Sequence, residues 1–428
     1  MARSPPSAGR AWTAWPGRSS PGSWARKRPW RSTRDTTDDP TQAGEGMSRI
    51  VVAGAGPVGL TAALALARQG VAVTVLEAGD DLAAESRAST FHPPTLEMLA
   101  ELGVVDALLA RGLVAPTFAY RDRASGHVAT LDLGVLARDT PYPYRVQCEQ
   151  SKLTPILRAE VEAAGGVIRL GWPVAGVDQV PDGVVVRAAD GRTERGDWLI
   201  AADGAHSAVR RSLGVEFAGI TYPERFLVAS TDEDLPALLD DLAEVNYVFD
   251  PVDWSVLLHT PDHWRVLLPT PDGTPDRDEL DRLDGRLRQV ADPGRPWRVA
   301  HASIYRVHQR VAETFQVGRV LLAGDAAHVN NPLGGLGMNS GIHDAVAYAR
   351  ALVTGDGAIR LAAAQRRRIA LEYVQTVSHQ NYQRLTATDP AARAAYLDEI
   401  RATAADPVRA RAHLLRACMI SSLRPVPA

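Results

Sequence analysis

At 428 residues, 45% hydrophobic and 23% charged, the chain has an ordinary globular composition and is long enough for two intimately packed domains. Its formal net charge of −3 carries no electrostatic footprint for nucleic acid, which disfavours that partner. The two cysteines, Cys148 and Cys418, form no CxxC pair and lie near no His or Asp cluster at ligand spacing, so no metal is expected and both read as buried thiols of a reducing cytoplasm.

Residues 1–46 stand apart. Arg, Pro, Ser and Gly dominate, and Trp12, Trp15, Trp24 and Trp30 are scattered without periodicity, so the stretch cannot bury a core. Eight basic and four acidic residues make it +4, which leaves −7 for the remainder of a chain at −3. It has neither the apolar stretch of a secretory signal nor adjacent arginines before one, and its four acids argue against a transit peptide. Met47 is expected to be the natural start, with the upstream segment a mis-set start or a disordered tail.

The first periodic segment, "IVVAGAGPVGLTAALALARQGVAVTVLEAG", holds seventeen uncharged residues from Val51 to Ala67. That is shorter than the ~20 a membrane helix needs, and glycines and a proline crowd its first half, which excludes a membrane span. It reads as strand, tight turn, helix closed by Gly70, and second strand: a βαβ unit with Gly54-x-Gly56-x-x-Gly59 at the turn. Gly54 permits the turn, Gly56 lets backbone approach a pyrophosphate, and Gly59 lets helix and strand close on each other. Pro57 and Val58 open the helix, whose N-terminus faces the phosphates. Glu77, about twenty residues on, is placed to accept hydrogen bonds from ribose hydroxyls. The unit predicts a dinucleotide site and leaves FAD and NAD open.

Further on, "FAYRDRASGHVATLDL" predicts a hairpin turning at Ser125 and Gly126. "DWLIAADGAHSAVRRSLG" predicts a strand that delivers Asp203 and Gly204 into a loop, followed by a short helix bearing Ser207 and Arg210. "ERFLVAS", "VNYVFD", "WSVLLHT" and "HWRVLLP" predict short strands of an antiparallel sheet. "GRVLLAGDAAHVNNPLGGLGMNSGIHDA" predicts a buried strand, Val320 to Ala323, then Gly324 and Asp325, a glycine-rich loop, and a helix from about Met338. Beyond it the chain is mostly helical. "PVRARAHLLRACMI" is basic and amphipathic, and is expected to pack against the dinucleotide domain in preference to a membrane surface.

These three motifs, in this order and spacing, resemble the flavoprotein aromatic hydroxylases, single-component FAD monooxygenases of the para-hydroxybenzoate hydroxylase type. The resemblance runs from Met47 to about residue 385. It implies an α/β fold (α+β overall): a Rossmann-like FAD-binding domain (47–117, 147–214 and 317–360) with an inserted antiparallel-sheet substrate domain (118–146 and 215–316) and C-terminal helices (361–428). No room remains for the thioredoxin-like C-terminal domain of longer members, so the short form is expected. By position it implies FAD contacts at Arg87, Gln150, Asp203, Arg210 and Asp325. It also implies contacts along the loop at Pro332, Gly335, Gly337, Met338 and Asn339. Asp325 suits ribityl hydroxyls, Pro332 to Gly337 suit backbone lying flat on the isoalloxazine, and the helix start favours negative charge at the pyrimidine edge. Asp203 and Arg210 match the motif that serves both FAD and NADPH.

The implied activity is NAD(P)H- and dioxygen-dependent hydroxylation of a phenolic or polycyclic aromatic compound through a flavin hydroperoxide, with no protein nucleophile. Tyr247, on an otherwise apolar strand, is the first candidate for the substrate pocket, with Pro332 beside it; His259, His263 and Arg265 rank lower. His328 reads as a loop-bridging residue. Asn331 stands where the family often has a second proline. Same-fold epoxidases, Baeyer-Villiger oxygenases and isoprenoid reductases remain open, as does a non-catalytic flavin-binding protein; the WxWxIP signature of halogenases is absent. A soluble monomer or homodimer is expected.

Overall fold

The structure, a computed structural model, describes residues 49–84 and 88–424. The expectations for residues 1–46 and for Arg87 therefore fall outside the described residues. A six-stranded sheet runs in the order Gln316–Val317, Val320–Leu322, Trp198–Ala201, Arg49–Ala53, Ala72–Leu76, Val167–Arg169. All its pairings are parallel except the first. Parallel strands covered on both faces need continuous apolar runs, and Ile50 to Ala53 and Val73 to Leu76 supply them, all buried. Register aligns Leu76 with Ala53, Ala53 with Ala201, and Ala201 with Leu322. Four neighbouring strands thus end together, and each ends at one of the motifs.

The helix Pro57–Ala67 follows the first strand with proline at its first position and Gly56 as its N-cap. It touches both Gln150–Ala163 and Gly337–Thr354 and is buried from Gly59 to Ala67, which explains an apolar run without an amphipathic stripe. Among the described residues no helix is long and apolar enough to cross a membrane.

The second sheet has eight strands in the order His328–Val329, Val299–Ala312, Phe217–Thr231, Trp264–Pro271, Ser255–His259, Val245–Phe249, Thr117–Asp122, Gly126–Asp132. It is antiparallel apart from Val245–Phe249 beside Thr117–Asp122. The hairpin turns where expected: Asp122 accepts from the Ser125 backbone and hydroxyl, and Gly126 takes φ +80°. "ERFLVAS" is only the second half of a 15-residue strand, because the ladder skips across Pro223 and resumes at Arg225.

The helix Pro407–Ala417 corrects one expectation. Its apolar stripe, Ala410, Leu414 and Leu415, joins a cluster with Phe118, Leu131, Leu133 and Leu136 of the hairpin and the turn after it. Arg411 adds a two-pronged ion pair to Asp139 at 2.6 and 2.9 Å. The helix therefore packs on the hairpin side of the second sheet. Amphipathicity dictated that one face be buried; the counter-surface was set by the hairpin's own uncovered apolar residues.

Candidate active site

The glycine turn is built as its spacing requires. Gly54 holds φ +99°, and a Cβ there would lie 2.4 Å from the Ala202 carbonyl oxygen, so the first strand's exit is pressed against the loop that carries Asp203. A Cβ on Gly59 would lie 2.0 Å from the Gly54 oxygen. A Cβ on Gly56 meets nothing within 4 Å, so open space lies over the first turn of a helix whose N-cap has no side-chain hydrogen bond. Val58 turns its side chain inward, against Gly324 and Gly341.

Glu77 fastens this turn from the neighbouring strand. Its carboxylate accepts the Ala55 N–H at 2.6 Å and the Gly79 N–H at 3.0 Å, one on each oxygen. The remaining lone pairs are available to hydroxyls.

Asp203 accepts the Val209 N–H on Oδ2 at 3.1 Å, while its buried Oδ1 has no hydrogen-bond partner among the described residues. A buried carboxylate oxygen in that condition marks a place for a donor. Gly204 faces open space. Ser207 caps the short helix Ala208–Ser212 from outside it. Arg210 is no surface ion pair: it is buried, donates to the carbonyls of Ala326 and Ala205 at 2.9 Å each, and lies 3.8 Å from the Phe217 ring centroid. It ties the second motif to the third, and burial holds its pKa below the usual guanidinium value.

In the third motif Asp325 is exposed on a single tight turn, Gly324–Ala326. Beneath it lies a buried network not anticipated from sequence. Asp344 accepts from the Gly324 N–H at 3.1 Å and pairs with His328 at 2.9 Å and Arg366 at 2.6 Å. His328 is thus a bridge, as expected, and it also stacks on Phe315. Asn331 donates to the Tyr222 hydroxyl and accepts the Leu333 N–H.

Pro332 opens the loop, with Gly334 at φ +107° and Gly335 at φ +66°. Asn339 locks it. Its Oδ1 accepts from the His92 N–H and the Thr95 hydroxyl, and its Nδ2 donates to the carbonyls of Thr90 and Gly335. With its amide saturated, Asn339 offers an outside group only its backbone. The helix Gly337–Thr354 has no side-chain cap at its N-terminus, so the first-turn N–H groups of Gly337 and Met338 point outward unpartnered by a cap. Gln150 begins the helix Gln150–Ala163, and its N–H donates to Ala88.

Leu333 and Gly334 also border a cavity of about 400 Å³, within the size range of small-molecule sites. Tyr247 lines it together with Tyr120, Phe249 and Tyr396, while Pro332, His259, His263 and Arg265 are not among its walls. His259 stacks on Trp264, and His263 pairs with Asp232 at 2.7 Å. Arg145, Arg384 and His413 are cavity residues that sequence reasoning missed. The only signal for Arg145 was a cation in a short apolar run, "YRVQC".

Buried imidazoles give a pH signature. Burial, with Arg145 adding, lowers His92 to about 3; burial, with Arg384 and Arg145 adding, lowers His413 to about 4; burial also holds His343 well below its ordinary value. Each is neutral when folded and binds a proton more readily when unfolded. Stability is therefore complete above the ordinary pKa of 6.5 and falls with pH toward 3. Urea midpoints should drop between pH 6.5 and 5, before most carboxylates titrate, and His92→Asn should flatten that slope. An unchanged slope in the variant, or a flat wild-type profile, would count against it.

Comparison with known proteins adds relatives to this geometry. The family described as FAD binding domain matches residues 47–368. A para-nitrophenol 4-monooxygenase from Pseudomonas sp. (strain WBC-3) is 36% identical over 365 residues, 82% of this chain and 90% of the relative. A 6-hydroxy-3-succinoylpyridine 3-monooxygenase from Pseudomonas putida is 36% identical over 350 residues, 79% of this chain and 88% of the relative. Among solved structures, p-nitrophenol 4-monooxygenase from Pseudomonas putida DLL-E4 superimposes with TM-score 0.84 at 33% identity, covering 89% of this chain and 99% of that one. Aklavinone-11 hydroxylase, solved with FAD and aklavinone, does so with TM-score 0.71 at 28% identity, covering 80% and 70%.

Proposed function

The chain belongs to the FAD-binding-domain family that includes the aromatic flavoprotein monooxygenases, and from that premise we propose that it uses NAD(P)H and dioxygen to hydroxylate a phenolic or polycyclic aromatic small molecule in the cavity beside Leu333 and Gly334. The residues present fit FAD. Open space over Gly56 and Gly204, the unpartnered Oδ1 of Asp203, and an uncapped helix start after the glycine loop are what a dinucleotide with a flat ring would fill.

FAD, when bound, supplies hydride acceptance from NAD(P)H and activation of dioxygen. The protein's part is placement. The first turn of Pro57–Ala67 and Gly56 would hold the pyrophosphate, Glu77 a ribose, and Asp203 and Asp325 the linking hydroxyls. Loop 332–337 and the helix start at Met338 would orient the ring. Arg210 and Asn339 act as positioning residues, since the atoms they use are engaged with backbone and with Thr95. Tyr120, Tyr247, Phe249 and Tyr396 present an aromatic wall that excludes water from the reacting face.

One observation carries this reading: Gly54, Glu77, Asp203 and Asp325 follow the ends of four adjacent parallel strands. Purified protein reconstituted with FAD should consume oxygen with NADPH, faster when the right phenol or polyketide-like aromatic is present, and yield a product heavier by one oxygen atom. Flavin uptake without any aromatic-stimulated NADPH or NADH oxidation would favour a flavin-binding role without catalysis. The buried thiols of Cys148 and Cys418 support a reducing cytoplasm as the compartment.

A further inference from the structure

The cavity contains a charge that the protein does not neutralise. Arg145 is 2% exposed and lines the cavity, yet among the described residues it has no carboxylate within 4.0 Å. Among the described residues its guanidinium reaches only the Ala417 carbonyl at 3.5 Å and the Cys418 thiol at 3.8 Å, and its buried Nε has no hydrogen-bond partner. Other buried arginines differ: Arg366 has Asp344 at 2.6 Å, Arg225 has Asp276, and Arg210 has two carbonyls at 2.9 Å. A buried cation left in that state is costly unless a ligand completes it.

What surrounds Arg145 says what that ligand is. The guanidinium stands 4.3 Å from the Phe118 ring centroid, and the Phe118 ring stands edge-on to Tyr120 and Tyr247. The Tyr120 and Tyr247 rings are 5.7 Å apart and tilted by 31°. Such a wall takes a planar ring. Elsewhere in the lining Arg384 lies over the Tyr396 ring at 4.7 Å, and Glu399 is the one acid among the lining residues. Burial keeps Cys418 protonated, so the thiol supplies no counter-charge.

We propose that Arg145 is the specificity-determining residue for an anionic aromatic substrate, its guanidinium binding a carboxylate or phenolate oxygen of the ring that the tyrosine wall receives. The proposal rests on the monooxygenase reading above for the ring's fate, but binding does not. The charged oxygen would sit at the edge formed by Nε and one terminal nitrogen of Arg145, where two-pronged recognition of a planar anion is available. An aromatic that lacks the charge would leave the guanidinium as it stands and gain only the contacts of its ring.

The test is equilibrium dialysis of the FAD-reconstituted chain against matched pairs: para-hydroxybenzoate with para-hydroxybenzamide, and a hydroxynaphthoate with its carboxamide. Wild type should bind the acid of at least one pair roughly ten- to hundredfold more tightly than the amide. Arg145→Gln should bring that ratio close to one, Arg145→Lys should retain part of it, and Cys418→Ala should leave it intact. Bound para-nitrophenol distinguishes the two anions: retention of its yellow phenolate band at a lower pH than in free solution assigns the charge to a phenolate, and an unshifted band with a preference for the acids assigns it to a carboxylate. Absence of any acid preference in wild type together with an unshifted phenol overturns the proposal, as does an Arg145→Gln protein that keeps the ratio, or a Cys418→Ala protein that loses it. If Arg145→Gln does not fold, the wild-type and Arg145→Lys ratios decide. Flavin content, read before any aromatic is added, reports separately on the monooxygenase reading; the dialysis result stands with or without flavin.

Discussion

The Gly56→Val protein is expected to fold and to lack FAD, whereas the Gly59→Ala protein is expected to be deficient in folding itself. The two glycines are three residues apart in one turn, and the difference lies in what a side chain would meet. Gly56 has φ −73° and ψ 179°, an extended conformation open to any residue, and a Cβ there touches nothing within 4 Å. The apoprotein loses little. The space so filled is the approach to the first-turn N–H groups, and losing two hydrogen bonds to a charged phosphate, each worth ~1.5–3 kcal/mol, weakens FAD binding by about a hundredfold or more. At Gly59 a Cβ would stand 2.0 Å from the Gly54 oxygen and 3.2 Å from Val52 Cγ1, backbone and buried strand that have nowhere to go. Lifting the helix off the strand costs at least the ~1–3 kcal/mol of an overpacked core. Flavin absorbance per chain and urea midpoints with and without added FAD separate the two. Wild type should gain stability with FAD, and Gly56→Val should match wild-type apoprotein and gain none. A Gly56→Val protein that retains stoichiometric flavin would remove the cradle from the place assigned to it.

The same turn shows why part of this molecule was legible in its sequence. Gly54, Gly56 and Gly59 act within one turn, so spacing alone conveys their geometry. Tyr247 faces a cavity for a related reason: a polar-tipped ring on an apolar strand has few places to turn. Arg145 was not legible, because its cavity is closed by helices about 230 to 270 residues further on, Thr376–Leu385 and Pro407–Ala417, and nothing local to "YRVQC" states what docks there. Nor was the reach of strand Phe217–Thr231, since Gly219 and Pro223 look like a turn, and only the partner Val299–Ala312 draws the chain straight through them. Asn339 lay within a recognised motif, yet its role differs in kind. Its amide is consumed by His92, Thr95, Thr90 and Gly335, contacts about 244 to 249 positions away for all but the last. Motifs disclosed where backbone meets a cofactor; they did not disclose which side chains hold that backbone still.

Asp344 is the side chain on which the second large loss is expected. Asp344→Ala removes one carboxylate that serves three groups: the Gly324 N–H, His328 Nε2, which keeps a 3.5 Å contact to the Ser340 hydroxyl, and the guanidinium of Arg366, which is 3% exposed and among the described residues has otherwise only Ser340 to bond. Breaking a buried ion pair from one side costs ~3–5 kcal/mol, a large share of a total stability of ~5–15 kcal/mol. Removing both charges with Asp344→Leu and Arg366→Met together should recover much of that, because the uncompensated charge is the main penalty. The pH dependence gives the sign. Burial raises the Asp344 pKa, but the charge of Arg366 and the bond to His328 outweigh it, and the folded value lies below the ordinary carboxylate value. Its stabilisation is therefore present above that ordinary value and disappears as pH falls through the folded one. In Arg366→Met the largest lowering influence is gone and burial is opposed only by His328 and the Gly324 N–H, so the carboxylate pKa should rise and that variant should lose less stability than wild type as pH falls. Urea unfolding of the four proteins from pH 7 down to about pH 2 measures all of this. A single Asp344→Ala loss under ~1 kcal/mol would mean that the network is not under tension with the fold. Because Asp344 also anchors Gly324, directly before Asp325, the same variant should release FAD more readily even where it stays folded, coupling the stability of the third motif to the site it builds.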